Sequence, residues 1–112
     1  MNVATLAAVM RERARLSSHD AWAREDILAY QARKVAELRS FAVARSPFYA
    51  DLHRGLEDAP LERLPTVTKA TLMERFDDVV TDRDVRLADV ERYLETATAT
   101  DRFADRYRVA PT

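Results

Sequence analysis

The sequence predicts a mostly α-helical chain, with several packed helices and a C-terminal extended, strand-like tail. Three observations predict it. Leu28, Gln31, Val35, Leu38 and Ala42 step by alternating three and four residues, the period of one helix face. Arg45-Ser46-Pro47-Phe48-Tyr49-Ala50-Asp51-Leu52 reads as a sharp corner at which a second helix begins. Towards the end the period changes to alternation: Phe103, Tyr107 and Val109 fall on one parity, Arg102, Arg106 and Arg108 on the other.

The elements follow in order. Asn2 or Thr5 caps a first helix running to about Arg15, with an apolar stripe at Val3, Leu6, Ala7, Met10 and Ala14. Ser17-Ser18-His19-Asp20 is a polar loop, so residues 1–19 form an extra helix ahead of the rest. The longest helix runs from about Asp20 or Ala23 to Arg45. Ile27 and Phe41 widen its stripe, and Trp22 is placed to anchor its start against a neighbour. At the corner, the Ser46 hydroxyl oxygen caps the new helix by accepting from its free N–H groups. Pro47 takes the first helical position, where its missing N–H costs nothing. Phe48, Tyr49 and Leu52 share one apolar face, and Gly55 is placed to end the helix.

From Leu56 to Pro65, Pro60 and Pro65 enclose an irregular segment with one short turn, pinned by Leu61 and Leu64. Thr68 caps a short helix over about Lys69 to Phe76, with Leu72, Met73 and Phe76 inward. Asp77 to Asp82 reads as a loop holding Val79 and Val80. A last helix starts at Leu87-Ala88-Asp89 and reaches about Thr96, with Val90, Tyr93 and Leu94 inward. Phe103 to Val109 reads as an edge strand or extended arm that has no pairing partner within the chain.

Composition narrows the function. At 112 residues the chain is one domain or part of one, and its 47% hydrophobic content is too high for a disordered tail. Eighteen basic residues against 19 acidic leave a net charge of −1, which argues against nucleic acid and anionic membranes as partners. No apolar run approaches membrane-spanning length, and Met1 to Met10 lack the pattern of a secretory signal. With no cysteine there is no disulfide framework, which suits a cytoplasmic location. The single glycine argues against a phosphate-cradling loop, because such loops need several glycines for close backbone approach.

The side-chain groupings that resemble sites have plainer explanations. His19-Asp20, and Asp51 near His53, are the histidine–acid neighbours, and with Ser46 they resemble parts of a hydrolase. Ser46 lacks the glycine-flanked elbow that exposes a nucleophile, and capping accounts for it. A metal needs three or four converging ligands, and two histidines far apart in sequence do not supply them. Asp77, Asp78, Asp82 and Asp84 lack the central glycine and alternate spacing of a calcium loop. Thr68 to Phe76 is followed by acids and valines, not by the basic and amide residues of a recognition helix. Lys69, one of two lysines beside Lys34, stands in a helix's first turn, where the macrodipole disfavours a cation by a few tenths of a kcal/mol, about 0.3. No catalytic, cofactor-binding or metal-binding residue is assigned.

Several pieces taken together carry a resemblance. They are Trp22 with the helix to Gln31, Leu38, Arg45-Ser46-Pro47-Phe48-Tyr49, Leu61-x-x-Leu64-Pro65, Thr68-Lys69 and Phe76-Asp77. In that order and spacing they resemble the N-terminal region of phenylacetate–coenzyme A ligase-like enzymes, which are AMP-forming, adenylate-forming ligases. The resemblance implies a larger α/β enzyme that uses ATP and Mg²⁺ to turn a carboxylic acid into an acyl-adenylate. Coenzyme A then displaces AMP to give a thioester. It also implies that residues 1–112 are one helical N-terminal region ending just before the phosphate-binding loop. Tyr107-Arg108-Val109-Ala110 looks like the strand approaching that loop, and Thr112 like its first residue. On this reading the chain is truncated before the catalytic motifs and is inactive alone. Its partner is the remainder of the ligase, in cis or in trans, and it contributes to a substrate border or a homodimer contact. The alternatives are a free-standing helical module that self-associates through the Leu28–Ala42 seam, and a small subunit of a split ligase.

Overall fold

The computed structural model describes residues 2–111. Among them are six α-helices: α1 (Val3–Ser17), α2 (Arg24–Arg45), α3 (Pro47–Leu52), α4 (Lys69–Glu74), α5 (Phe76–Val79) and α6 (Leu87–Leu94). A 3-10 turn occupies Leu61–Arg63. The mostly helical class is as the sequence predicts. The chain divides into two compact units, residues up to Arg39 and residues from Ser40.

In the first unit, Asn2 caps α1, and its Oδ1 accepts from the Thr5 N–H at 2.7 Å. Glu25 and Asp26 lie in the first turn of α2, where the macrodipole favours anions. Between these helices a cluster of rings fills the bend. His19 stacks on Trp22 at 3.9 Å, and both meet Tyr30 edge-on, at 5.0 and 5.4 Å. The Tyr30 hydroxyl accepts from Arg15 at 2.9 Å, so the polar tip of the cluster is paired as well. Trp22 therefore anchors the entrance of the long helix. The stripes expected to be inward are largely exposed: Leu6 and Met10 are half-exposed, Leu28 is 48% exposed and Leu38 66%.

The second unit is organised at the Ser46 corner. Ser46 caps α3, with its Oγ accepting from the Tyr49 N–H at 3.3 Å. Phe48 is buried at 4% exposure, its ring edge-on to Tyr49 and its face under Arg75 at 5.2 Å. Val85 is the other buried apolar residue among those described, so the core is small. Burying a ring such as Phe48 is favourable by about 1.5–3 kcal/mol, so this one residue carries a large share. Helix α3 packs on α5, and α4 leads into α5.

Several expectations are corrected here. Helix α3 ends at Leu52, three residues before Gly55, because His53 to Gly55 form a turn with Gly55 at φ +77°. The helix expected over Lys69 to Phe76 breaks at Arg75, and Phe76 starts a separate turn. Asp77 and Asp78 are therefore helical, not part of a loop. Leu61 and Met73 are exposed, at 57% and 42%, so of the two leucines expected to pin the irregular segment Leu64 alone is half-buried.

Among the described residues the tail forms no strand. Phe103 and Tyr107 exchange both backbone hydrogen bonds, at 2.8 and 2.9 Å, as an isolated antiparallel bridge. The turn between them places Ala104 at φ +50° and Asp105 at φ +57°, and the Arg106 N–H closes it on the Phe103 carbonyl at 3.1 Å. Two successive positive φ values are the signature of a type I′ turn. The left-handed region costs an alanine about 1–2 kcal/mol, so this hook needs support from elsewhere. Thr112, the residue likened to a loop's start, lies outside the described residues.

Candidate functional site

The second unit carries an open, mostly apolar groove of about 520 Å³. One wall comes from α5 and its continuation through Phe76, Val79, Val80 and Val85, with Val90 from α6. The other wall is the hook and the residues after it: Phe103, Tyr107, Arg108, Val109 and Ala110. Phe103 also meets Tyr93 edge-on at 5.6 Å, which ties the hook to α6.

Asp82 joins the two walls. Its Oδ2 accepts from the Tyr107 hydroxyl at 2.5 Å and pairs with the Arg106 guanidinium at 3.1 Å. Its Oδ1 accepts from the Asp84 N–H at 3.1 Å. The bond from Tyr107, then the Asp84 N–H and the charges of Arg106 and Arg45, hold the Asp82 carboxyl below its ordinary range. The same bond pushes the Tyr107 phenol upward, with burial adding to it and Arg106 opposing. Both polar groups are thus engaged with each other at the edge of a mostly apolar groove.

The residues singled out in the sequence have structural duties. The Ser46 hydroxyl, 1% exposed, donates to the Asp78 carbonyl at 3.0 Å while it caps α3. With both bonds made it is not an activated nucleophile. Asp51 pairs with Arg54 at 2.6 Å, and His53 leans on Tyr49 at 5.5 Å with its Nδ1 buried and unbonded. His19 belongs to the aromatic cluster of the first unit.

The acidic run is split between separate tasks. Asp77 Oδ1 accepts from the Leu87 N–H at 2.8 Å and so caps the start of α6 from ten residues upstream. Asp78 pairs with Arg75 at 3.1 Å. Arg83 donates to the carbonyls of Asp77 and Val80, at 2.8 and 2.9 Å, closing the α5–α6 connection. Among the described residues no three His, Cys, Asp or Glu side chains converge as metal ligands, and no helix is long and apolar enough to cross a membrane. Thr68 caps α4, its Oγ1 accepting from the Thr71 N–H at 3.2 Å, and Lys69 opens that helix.

The Asp82–Arg106–Tyr107 cluster and the Asp77 cap are not legible in the sequence. Both join residues that lie ten or more positions apart, and the alternating pattern of the tail points to a strand instead. The one signal is Asp105, a residue type that accepts a left-handed backbone. Compared with known proteins, the chain matches no family model, no curated protein and no solved structure.

Proposed function

We propose that this chain is a structural N-terminal segment of a cytoplasmic, phenylacetate–coenzyme A ligase-like enzyme. Its helices pack against the catalytic part, supplied in cis or in trans, and its own residues carry no catalytic, cofactor or metal role. ATP, Mg²⁺ and coenzyme A would act on the parent enzyme, which activates a carboxylic acid as its adenylate and passes it to a thiol. The observation that carries the reading is the meeting of two separate pieces of the resemblance. Arg45-Ser46-Pro47-Phe48-Tyr49 and Phe76-Asp77 lie about thirty residues apart, yet Ser46 bonds to the Asp78 carbonyl and α3 packs on α5. The motif is thus a packing device, as a structural segment requires. Further support is the apolar surface left uncovered, including Phe41 at 49% and Leu61 at 57% exposure.

The test is pyrophosphate release with ATP, magnesium and a panel of aryl and aliphatic acids. The isolated chain should release none. The native protein containing this sequence, purified from its source with whatever it is bound to, should show acid-dependent release. Release by the isolated chain, or none by the native protein with any acid, would overturn the reading.

A second reading, self-association through the long-helix seam, is favoured by the exposure of Leu28 and Leu38 on α2. It requires that the melting temperature rise with protein concentration. Melting at two concentrations a hundredfold apart separates the two.

A further inference from the structure

The geometry points to a strap: the Phe103–Tyr107 hook closes over the apolar groove, and Asp82 is the clasp that keeps it closed. The inference is independent of the ligase reading. Four observations support it. The hook supplies one wall of the groove, and Phe76, Val85 and Val90 supply the other, so the groove exists only while the hook is down. The hook is fastened at its far end by two charge-assisted contacts on one carboxylate oxygen, Tyr107 at 2.5 Å and Arg106 at 3.1 Å. At its near end it has a single ring contact, Phe103 with Tyr93. Its turn is built from Ala104 and Asp105 at positive φ, neither of them glycine, so the closed form stores local strain that opening releases.

A segment held closed against its own backbone preference, by one side chain on the opposite wall, is poised between two states. Opening removes the wall and exposes Val85 and its neighbours. Closing forms a bed for an apolar body. The clasp shares no hydrogen bond with the Ser46 corner, so a change at Asp82 or Tyr107 acts on the groove without disturbing that corner.

The experiment is amide hydrogen exchange read by NMR on the full chain, in the wild type, Y107F and the double variant A104N/D105G. Y107F removes one hydroxyl and leaves the Arg106–Asp82 pair. A104N/D105G installs the Asn-Gly pair that a type I′ turn prefers. The reporters are the Phe103 and Tyr107 N–H groups, which bond across the hook. The control is the Ala50 N–H, which bonds to Ser46 at the buried corner at 2.9 Å.

Y107F should speed exchange at both reporters by roughly 3- to 10-fold, the effect of losing one exposed charge-assisted bond. A104N/D105G should slow it by a similar factor, and Ala50 should be unchanged in both. Xenon, a probe for apolar cavities, should shift the Val85 and Val90 methyl signals less in Y107F and more in A104N/D105G. Equal exchange at the reporters in all three proteins would overturn the strap. So would reporter changes matched at Ala50, or xenon shifts that do not follow the hook.

Discussion

At the scale of single residues, Ser46 and Asp82 hold the second unit together by different means. Ser46 is buried and makes two bonds, one to the helix it caps and one to a carbonyl 32 residues on. Replacing it by alanine removes the cap and leaves the Asp78 carbonyl unbonded. S46A should therefore lower the unfolding free energy by about 1–2 kcal/mol, read from the urea midpoint. An unchanged midpoint would contradict the role given to it. Asp82 is half-buried, and its carboxylate contacts run to Tyr107, Arg106 and the Asp84 N–H, so its effect belongs to the hook more than to global stability. Its carboxyl is held below the ordinary 3.8, so its contribution is present above that value and is lost as pH falls through the lower folded value. Tyr107 is held above the ordinary 10.0, so its contribution is present below that value and is lost as pH rises through the higher folded value. The hook should stay closed between these limits and open beyond either. The ring protons of Phe103 and Tyr93, which meet edge-on, should keep their chemical shifts across the range between these limits and lose their mutual ring-current shift only below pH 3.8 or above pH 10.0. A drift through neutral pH would contradict the clasp.

At the scale of elements, local chemistry was readable and distant pairing was not. The caps at Asn2, Ser46 and Thr68 each depend on a side chain and an N–H three residues away, and all three form. The Trp22 anchor is similarly local, being stacked on His19. The break at Arg75 was not readable, because Leu72, Met73 and Phe76 keep a helical spacing across it. The hook was not readable either. Alternation in Phe103 to Val109 is what an edge strand shows, and nothing in the sequence says that Asp82 will reach Tyr107. Nor does periodicity say what a face meets: Leu28 and Leu38 keep the spacing of a buried stripe while standing in the open. The α3–α5 contact is where burial is deepest, so F48A should destabilise the unit by about 3 kcal/mol. Circular dichroism during urea unfolding checks this, and a loss under about 1 kcal/mol would mean the corner does not organise the unit.

At the scale of the whole molecule, the balance is between little buried surface and much apolar surface in view. Ser46, Phe48 and Val85 are the buried residues among those described, while both units expose leucines and valines, and the second exposes Phe41 and Tyr107 as well. On the function proposed above, a chain so arranged would draw stability from the rest of the enzyme it packs against. The isolated chain should therefore unfold in a shallow transition with a midpoint below that of the native assembly. The most direct measurement is the intact mass of the protein carrying this sequence, purified from its native source. The expected result is a mass several times the 12.8 kDa of these residues, with this sequence at the front, or a 12.8 kDa chain that purifies with a second, larger chain carrying the catalytic part. A native product of 12.8 kDa, alone or only with copies of itself, would contradict it.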